Sequence, residues 1–302
     1  MLVYLLFWLC FLYCKMAHNT SFLKAFVGSY FVLYFDYKPF TDGRRWEFIQ
    51  NLFIWKYFVN YLKGKVNVEE KLDDKQQYIF AAFPHGVSSV NHFLTMTNGC
   101  NFLSDVYNGD RRDLVATVLL LIPLLRDILL WLGCVDASAK TAKHNLMKKR
   151  SLLIYVGGEK EQLLAQPNTH RIYLKSRKGF IKLAIKYNVP VVPMYAFGEN
   201  EAFQTIEEGG FWDKMQNYIQ KEFKIVLPIF WGRFGLPIPF NNTPIQVEIG
   251  KPIYPVLPNT TQLSIEEQVD RLHEVFVKEM ERLFERTKKD HGIDAKTKLI
   301  IY

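Results

Sequence analysis

The sequence predicts an α/β fold in which a mostly parallel sheet carries helices on both faces, preceded by an N-terminal membrane helical hairpin. Two observations predict the sheet. Short apolar segments such as SLLIYVGG (151–158) and VPVVPMYAF (189–197) have the composition of strands buried on both faces. Segments with helical periodicity alternate with them, as the crossovers between parallel strands require. A third observation, two nearly uncharged stretches within residues 1–35, predicts the hairpin.

The N-terminal residues have the composition of a membrane anchor. Residues 1–14, MLVYLLFWLCFLYC, carry no charge, and a second apolar stretch over residues 22–35 contains one charged residue, Lys24. Fourteen helical residues reach roughly 21 Å, short of the roughly 30 Å hydrocarbon core of a bilayer. We therefore expect residues 1–37 to form a hairpin that dips into one leaflet, with two tilted spans as the alternative. A signal peptide fits less well, since no basic residue precedes the apolar run and no A-x-A site follows it.

The remaining residues, 38–302, are expected to form one cytosol-facing domain. Its last helix is the clearest element, because Ser264 and Glu267 make a capping box ahead of an apolar stripe with period 3.6. In chain order we expect a helix over 48–62, a strand over 78–83, a helix over 140–149, a strand over 151–158, a helix over 177–187, a strand over 189–197, a strand and turn over 243–253, and a long helix from 264 to near Gly292.

Residues 114–132 are harder to assign from the pattern alone. The run LVATVLLLIPLL carries no charge, but Pro123 and the pair Arg126-Asp127 interrupt the apolar stretch. A third membrane segment would have to place these two charges in lipid, which is costly unless they face a cavity. We therefore favour a hydrophobic core or tunnel wall that touches the membrane.

Composition and missing motifs exclude several functional classes. The chain has 302 residues and a formal net charge of +8, spread along its length without an Arg-rich tail. Such an excess favours contact with anionic lipid or a phosphorylated cofactor over nucleic acid. The four cysteines form no CxxC pair or metal spacing, so neither a disulfide framework nor a metal site is expected. The sequence also lacks G-x-S-x-G, Walker A, G-x-G-x-x-G and H-E-x-x-H motifs.

The segment FPHG (83–86) places a histidine at the end of a predicted strand. Phe83 ends the apolar run, Pro84 removes an N–H group, and Gly86 frees the backbone, so a sharp turn should follow. His85 would then stand at the carboxyl end of a strand, where open α/β sheets usually bind their ligands. A single histidine is often a capping or core residue, and that alternative stays open at this point.

Two further segments could contribute to the same crevice. Gly157 and Gly158 end a buried strand, and Glu161 could point toward His85 from the turn that follows. A plain turn ahead of a helix-starting glutamate would look identical. After the next buried strand, two carboxylates flank an amide at Glu199, Asn200 and Glu201, which fits either acid–base chemistry or the ordering of a loop.

A pair of cations opens the helix predicted over 177–187. Arg177 and Lys178 precede Gly179 at its start, where backbone N–H groups and positive side chains favour a phosphate group. A solvated helix start would carry the same residues, so both interpretations remain.

Taken together, these segments resemble the type-2 diacylglycerol acyltransferases, a family that includes monoacylglycerol acyltransferases and related wax-ester synthases. Many members have a histidine where this chain has Phe83, but the histidine at His85 is retained. The resemblance covers most of the chain and rests on YFVLYFDYKP (30–39), GRRWEF (43–48), IWKYFVNY (54–61), YIFAAFPHG (78–86), Gly157-Gly158-x-x-Glu161, RKGFIKLAIKYNVPVVPMYAFGENEAF (177–203) and IGKPI (249–253).

The resemblance implies a membrane-bound enzyme that moves a fatty acyl group from acyl-CoA to the hydroxyl of diacylglycerol, making triacylglycerol. The same transfer to monoacylglycerol or a long-chain alcohol is the alternative, and a lipid-droplet binding protein is the non-enzyme alternative. It implies a glycerolipid-acyltransferase-like sheet, no metal and no cofactor beyond acyl-CoA as co-substrate. The expected partners are acyl-CoA, the acyl acceptor, membrane lipid and, as an open question, a second copy of the chain. The expected location is the endoplasmic reticulum membrane or the lipid droplet.

The resemblance also implies roles for the candidate residues. His85 would be the general base, with Phe83, Pro84, Gly86, Gly157 and Gly158 forming the turns and the oxyanion region, while Arg177, Lys178 and Gly179 would bind acyl-CoA. Distantly similar acyltransferases place an aspartate five residues after the histidine, where this chain has Val90. We therefore expect Glu161 to orient the imidazole instead. Ser88 is a weaker candidate for an acylated nucleophile.

Overall fold

The computed structural model describes residues 34–206, 229–256 and 263–302, together with single positions at 24, 28, 30, 209–211, 214, 215 and 218. The hairpin expected over residues 1–37 therefore lies mostly outside the described residues, and the domain boundary at residue 37 stays a prediction. Within the described part of the chain, no helix has both the length and the apolar composition needed to cross a membrane.

Helices and strands alternate along the described chain. The α-helices are α1 Glu47–Gln50, α2 Ile54–Tyr61, α3 His92–Met96, α4 Leu125–Trp131, α5 Ala139–Met147, α6 Glu159–Leu164, α7 Gly179–Tyr187 and α8 Ile265–Thr287. The strands are β1 Lys65–Val68, β2 Ile79–Phe83, β3 Arg111–Val115, β4 Cys134–Asp136, β5 Ser151–Tyr155, β6 Arg171–Ile172, β7 Val191–Phe197, β8 Gln204–Thr205, β9 Phe230–Trp231, β10 Gln246–Ile249 and β11 Ile300–Ile301.

Seven of these strands form the central sheet, in the order β1-β10-β7-β2-β5-β3-β4. The five strands from β7 to β4 run parallel to one another, whereas β10 runs antiparallel to β7 and β1 parallel to β10. The mostly parallel sheet predicted from the apolar segments is confirmed. Because the five parallel strands share one direction, their carboxyl ends lie at the same edge of the sheet.

The sheet is covered on both faces. Along β2, Ile79, Ala81 and Phe83 contribute to one apolar cluster and Phe80 and Ala82 to the other, as the alternation of side chains in a strand requires. The first cluster is completed by residues of α5, α7 and α8, and the second by residues of α3 and of the π-helix Phe102–Val106. This layering explains why the strands are continuously apolar in sequence.

The capping box at the start of α8 is present as expected. The Oγ atom of Ser264 accepts from the Glu267 N–H at 3.3 Å, and the Ser264 N–H donates to Oε2 of Glu267 at 2.9 Å. The α-helix ends at Thr287, earlier than expected. A 3₁₀ turn over Lys288–His291 follows, and Gly292 closes it with a φ of +73°.

One segment differs from the sequence-based expectation, and a second, which the sequence left unassigned, can now be described. The single helix expected over 48–62 is divided into α1 and α2 at residues 51–53, where the Asn51 side chain donates to the Glu47 carbonyl. Residues 114–132 form the end of β3, a 3₁₀ turn over Thr117–Leu121 and α4, and they are not a continuous helix. In α4 the buried Asp127 accepts from the Tyr30 hydroxyl at 2.6 Å. Its buried neighbour Arg126 pairs with Asp36 at 2.6 Å, so both charges are paired within the protein.

Candidate active site

The carboxyl ends of three adjacent strands bring the candidate residues together. The strand β2 leads into the turn that carries His85, its neighbour β5 leads into Gly157, and its other neighbour β7 leads into Glu199. Glu161 reaches this edge from α6, which begins directly after the Gly157-Gly158 turn. Residues separated by more than 100 positions therefore meet around one turn, which we define as the His85 turn, residues 84–91.

His85 is a partly exposed residue whose imidazole is held in one tautomer. Its Nδ1 atom lies 3.0 Å from the Gly86 carbonyl, which can only accept a hydrogen bond, and 3.2 Å from Oγ of Ser89. Nδ1 therefore carries the proton, and the Nε2 lone pair is left to accept one from a ligand. Desolvation lowers the pKa of His85 to about 4, so the ring is neutral near pH 7.

Glu161 holds the backbone of the turn and does not contact the imidazole. Its Oε2 accepts from the His85 N–H at 2.7 Å and its Oε1 accepts from the Tyr173 N–H at 2.9 Å, so both oxygens are engaged by backbone donors. The expectation that this carboxylate orients the His85 ring is therefore wrong in its geometry, and the Gly86 carbonyl occupies that position. Glu161 is 1% exposed, and desolvation raises its pKa to about 8, against the opposing effect of the two N–H donors.

Gly157 is required for this arrangement because Glu161 occupies the space where a side chain would be. A Cβ atom at Gly157 would lie 2.4 Å from Cδ of Glu161, closer than any real contact. Gly158 adopts a φ of +58°, in the left-handed region that favours glycine, and precedes the first turn of α6. The double glycine thus lets a buried carboxylate pack directly under the strand end.

Glu199 supports the opposite side of the same turn. Its Oε1 accepts from the Val90 N–H at 2.9 Å, and its Oε2 accepts from the Asn91 N–H and from Asn91 Nδ2, each at 2.7 Å. Desolvation raises the pKa of this buried carboxyl to about 7. A Cβ at Gly86 would lie 2.5 Å from Cγ of Glu199, so the missing side chain at Gly86 also leaves room for a carboxylate. The His85 turn is therefore held at both ends by buried glutamates.

The two residues after Glu199 do not contact the His85 turn. Asn200 donates from Nδ2 to the Thr169 carbonyl at 2.8 Å, and Glu201 accepts from the Asn168 N–H at 3.0 Å. Both therefore order the loop before β6, and Glu199 alone among the three secondary candidates contacts the His85 turn in the described structure.

The cations expected to bind acyl-CoA lie at the start of α7 but face different neighbours. Arg177 donates to the Gly157 carbonyl at 2.9 Å and stacks over the Tyr173 ring at 5.2 Å, so it supports the turn after β5. Lys178 pairs with Asp270 of α8 at 2.7 Å on the exposed surface. Gly179 begins the helix, with no heavy atom within 4 Å of where its Cβ would lie. Arg177 thus belongs to the site through Gly157, and Lys178 lies beside it.

Sequence reasoning missed the groups that surround the His85 ring. The Tyr155 ring lies 5.3 Å from that of His85, edge to face, and its hydroxyl donates to Oδ1 of Asn91 at 2.6 Å. On the other side of Tyr155, at 5.4 Å, lies the ring of His92, whose Nε2 is 2.8 Å from Asp113. One feature of the sequence could have indicated Tyr155: it is the last residue of the strand β5, at the carboxyl edge of the sheet. Ser88, the weaker nucleophile candidate, is exposed, and its neighbour Ser89 makes the contact with His85.

Comparison with known proteins assigns the chain to a family. Residues 12–302 match the family model described as diacylglycerol acyltransferase. The chain is 34% identical over 281 residues to 2-acylglycerol O-acyltransferase 1 of Bos taurus, covering 89% of this chain and 82% of that protein. It is 33% identical over 294 residues to diacylglycerol O-acyltransferase 2 of Dictyostelium discoideum, covering 90% and 86%.

A solved structure is also similar, at lower identity. The 1-acyl-sn-glycerophosphate acyltransferase PlsC of Thermotoga maritima aligns with a TM-score of 0.43 and 17% identity, covering 76% of each chain. The family match and the curated relatives confirm the resemblance seen in the sequence. The chain belongs to the diacylglycerol acyltransferase family.

Proposed function

We propose that this protein transfers a fatty acyl group from acyl-CoA to the free hydroxyl of diacylglycerol, with His85 as the general base. The observation that carries the proposal is the tautomer of His85, whose Nδ1–H is held by the Gly86 carbonyl while Nε2 is available. A neutral imidazole at the carboxyl edge of the sheet can accept the proton that makes an alcohol nucleophilic. The family membership supports the reaction class.

The proposed step balances without a metal ion. Nε2 of His85 takes the hydroxyl proton as the acceptor oxygen attacks the thioester carbonyl carbon, so that a C–O bond forms. The tetrahedral intermediate then collapses, the C–S bond breaks, and the imidazolium returns its proton to the departing sulfur of CoA. The Tyr155 ring lies 5.3 Å from the imidazole, edge to face, and packs beside the base.

The negative charge that develops on the carbonyl oxygen needs hydrogen-bond donors. Among the described residues, the N–H groups of Gly86 and Val87 have no hydrogen-bond acceptor, although both residues are buried. These two donors lie in the same turn as the base, so we assign the oxyanion site to them. Glu161 and Glu199 hold this turn from either side and act as positioning residues.

The names of the relatives support an acylglycerol as the acyl acceptor, since they include both diacylglycerol and 2-acylglycerol acyltransferases. Monoacylglycerol is therefore the second candidate acceptor, and a long-chain alcohol the third. For the phosphates of acyl-CoA, Arg177 supplies a cation beside the Gly157-Gly158 turn, and its sequence neighbour Lys178, paired with Asp270, supplies a second at the start of α7. We further propose that residues 1–37 anchor the enzyme in the endoplasmic reticulum membrane or on lipid droplets, with the catalytic domain facing the cytosol.

One experiment tests the proposed function. The purified full-length protein is incubated in detergent micelles with labelled oleoyl-CoA and, separately, with diacylglycerol, monoacylglycerol or a long-chain alcohol. We expect labelled triacylglycerol from diacylglycerol, and its loss in the His85→Ala variant. Faster esterification of another acceptor would replace diacylglycerol in the proposal. A folded wild-type protein with no turnover on any acceptor would favour a lipid-droplet binding protein.

A further inference from the structure

The described surface carries a set of large apolar side chains that are 41–72% exposed. They belong to two neighbouring segments, α1–α2 with the residues between them, and the loop and helix that follow β3. We call this set the apolar face. Its members and their exposed fractions are Phe48 60%, Phe53 72%, Ile54 54%, Tyr57 69%, Val118 61%, Leu121 60%, Ile122 44%, Leu124 45% and Ile128 41%.

The two segments form one layer. Their inward side chains share a single apolar cluster, to which α1 and α2 contribute Ile49 and Trp55 and the second segment contributes Leu120, Leu125 and Leu129. The exposed side chains stand on the opposite side of the same elements. A soluble monomer seldom leaves so many large apolar side chains uncovered in one layer, so the face needs an occupant.

The layer borders the candidate active site. The loop over residues 117–124 follows the carboxyl end of β3, at the same sheet edge from which β2 leads to His85. On its other side, α2 packs on α3 through Phe58 and Phe93, with ring centroids 5.0 Å apart. The helix α3 begins at His92, directly after the His85 turn. An occupant of the apolar face would therefore lie beside the residues proposed to do the chemistry.

Three observations identify the occupant as lipid. The apolar stretch over residues 22–35 ends at this layer, where the hydroxyl of Tyr34 donates to the Leu121 carbonyl at 2.5 Å. The exposed Lys56 lies on α2 between Ile54 and Tyr57, and its charge matches that of anionic lipid headgroups, whereas the exposed Glu47 on α1 carries the opposite charge. Exposed aromatic rings such as Tyr57 have the amphipathic character found at membrane–water interfaces.

We propose that the apolar face of the catalytic domain docks on the surface of a phospholipid membrane, so that the lipid acceptor passes from the bilayer to His85. This contact adds to the anchoring assigned to residues 1–37, whose Tyr34 bonds to the same layer at Leu121. It rests on the proposed function, because the orientation matters only if the acceptor is a membrane lipid.

The kinetic experiment compares one acceptor in two environments. The full-length double variant Tyr57→Asp/Leu121→Asp is assayed with oleoyl-CoA and diacylglycerol, presented in vesicles of phosphatidylcholine and phosphatidylserine or in detergent micelles. We expect activity on vesicles to fall at least about tenfold, because two apolar side chains no longer enter lipid. Activity in micelles should stay near wild type. Ile265→Asp, which places the same charge at a 70% exposed isoleucine on α8, is the control and should change neither activity.

The outcomes separate the proposals. No turnover of the wild-type protein in micelles contradicts the proposed function itself. Unchanged activity of the double variant on vesicles contradicts the docking, and an equal loss in micelles and vesicles also contradicts it, since the side chains would then line a substrate channel.

A second measurement identifies the occupant directly. A photo-reactive phenylalanine derivative replaces Leu121, or Ile265 as the control, in the full-length protein on the same vesicles. We expect phospholipid adducts from position 121 and none from position 265. Adducts of position 121 with a second copy of the chain, or with residues 1–23 of the same chain, would overturn the proposal.

Discussion

The backbone N–H of His85 donates to Oε2 of Glu161 over 2.7 Å, so this carboxylate fixes the position of the peptide and leaves the ring to other partners. A carboxylate bonded to the imidazole would raise the pKa of the base and stabilise its cation. One bonded to the peptide sets where the ring stands and leaves its basicity to burial, which lowers the pKa to about 4. Glu161 therefore sets the position of the His85 ring more than it changes the pKa of that ring.

The first prediction concerns the base. His85→Ala should lower kcat by roughly 10²–10⁴-fold, because the acceptor hydroxyl loses its proton acceptor. The thermal midpoint should change little, since the imidazole hydrogen-bonds within its own turn, to Gly86 and Ser89. Steady-state kinetics and thermal unfolding check both parts. The control is His144→Ala, which removes a partly exposed histidine paired with Asp42. A folded His85→Ala protein with near-normal turnover would end the assignment.

The second prediction tests Glu161 as a positioning residue. Glu161→Gln should lower kcat less than His85→Ala does, because the amide keeps an oxygen that can accept from a backbone donor and leaves the base in place. In the double variant kcat should be little worse than in His85→Ala, since a misplaced turn matters only while the base is present. Glu201→Gln is the matched control, as Glu201 also accepts a backbone N–H. Additive losses in the double variant would mean that Glu161 acts independently of His85.

The third prediction is a pH dependence of stability. Burial raises the pKa of Glu161 to about 8 from an ordinary value of 4.5, so the folded state keeps a proton that the unfolded state releases. The free energy of unfolding should therefore fall as pH rises from about 4.5 to about 8 and level off above. Denaturant unfolding across this range measures the slope, which Glu161→Gln should reduce. A slope that is identical in the variant would place the titrating group elsewhere, with Glu199 the next candidate.

The fourth prediction uses two glycines. Gly157→Ala would place a Cβ 2.4 Å from Glu161, and should destabilise the protein by about 1–3 kcal/mol and lower kcat. Gly179→Ala lies in α7 with open space around its Cβ, and should leave the protein unchanged or up to about 1 kcal/mol more stable. Chemical denaturation of both variants makes the comparison. Equal tolerance at the two positions would mean that Glu161 can move aside without cost.

The fifth prediction concerns acyl-CoA. Replacing both Arg177 and Lys178 by Ala should raise the KM for acyl-CoA about tenfold, equivalent to roughly 1.4 kcal/mol of binding. Arg177→Ala alone should also lower kcat, because its guanidinium donates to the Gly157 carbonyl. Lys182→Ala, an exposed lysine on the same helix, serves as the control. A raised KM for the acceptor with an unchanged KM for acyl-CoA would contradict the assignment.

Local signals in the sequence were sufficient for much of the fold. The capping box of Ser264 and Glu267 depends on residues three apart, and the continuous apolar run of β7 reflects burial on both faces, so both could be predicted. The antiparallel direction of β10 could not, since it depends on how the chain returns to the sheet. The division between α1 and α2 at residues 51–53 could not be predicted either, because the apolar pattern continues through it.

Some features of the candidate site could likewise be predicted from the sequence, and others could not. Gly86, Gly157 and His85 could be found because glycines after strands mark turns at the carboxyl edge of a sheet. The partner of Glu161 could not, because the carboxylate reaches a backbone N–H 76 positions away and an N–H has no sequence signature. The same holds for Glu199 and the N–H groups it accepts from.

Supporting the His85 turn through its backbone has a consequence for how its sequence can vary. The two glutamates accept from the N–H groups of His85, Val90 and Asn91, and every amino acid except proline supplies such a group. The exposed position of Ser88 can therefore accept many side chains without moving the base. The glycines at 86 and 157 cannot be exchanged so freely, since each leaves room for a carboxylate. Libraries that diversify the mouth of this site should retain His85 and those two glycines, and exclude proline from positions 90 and 91.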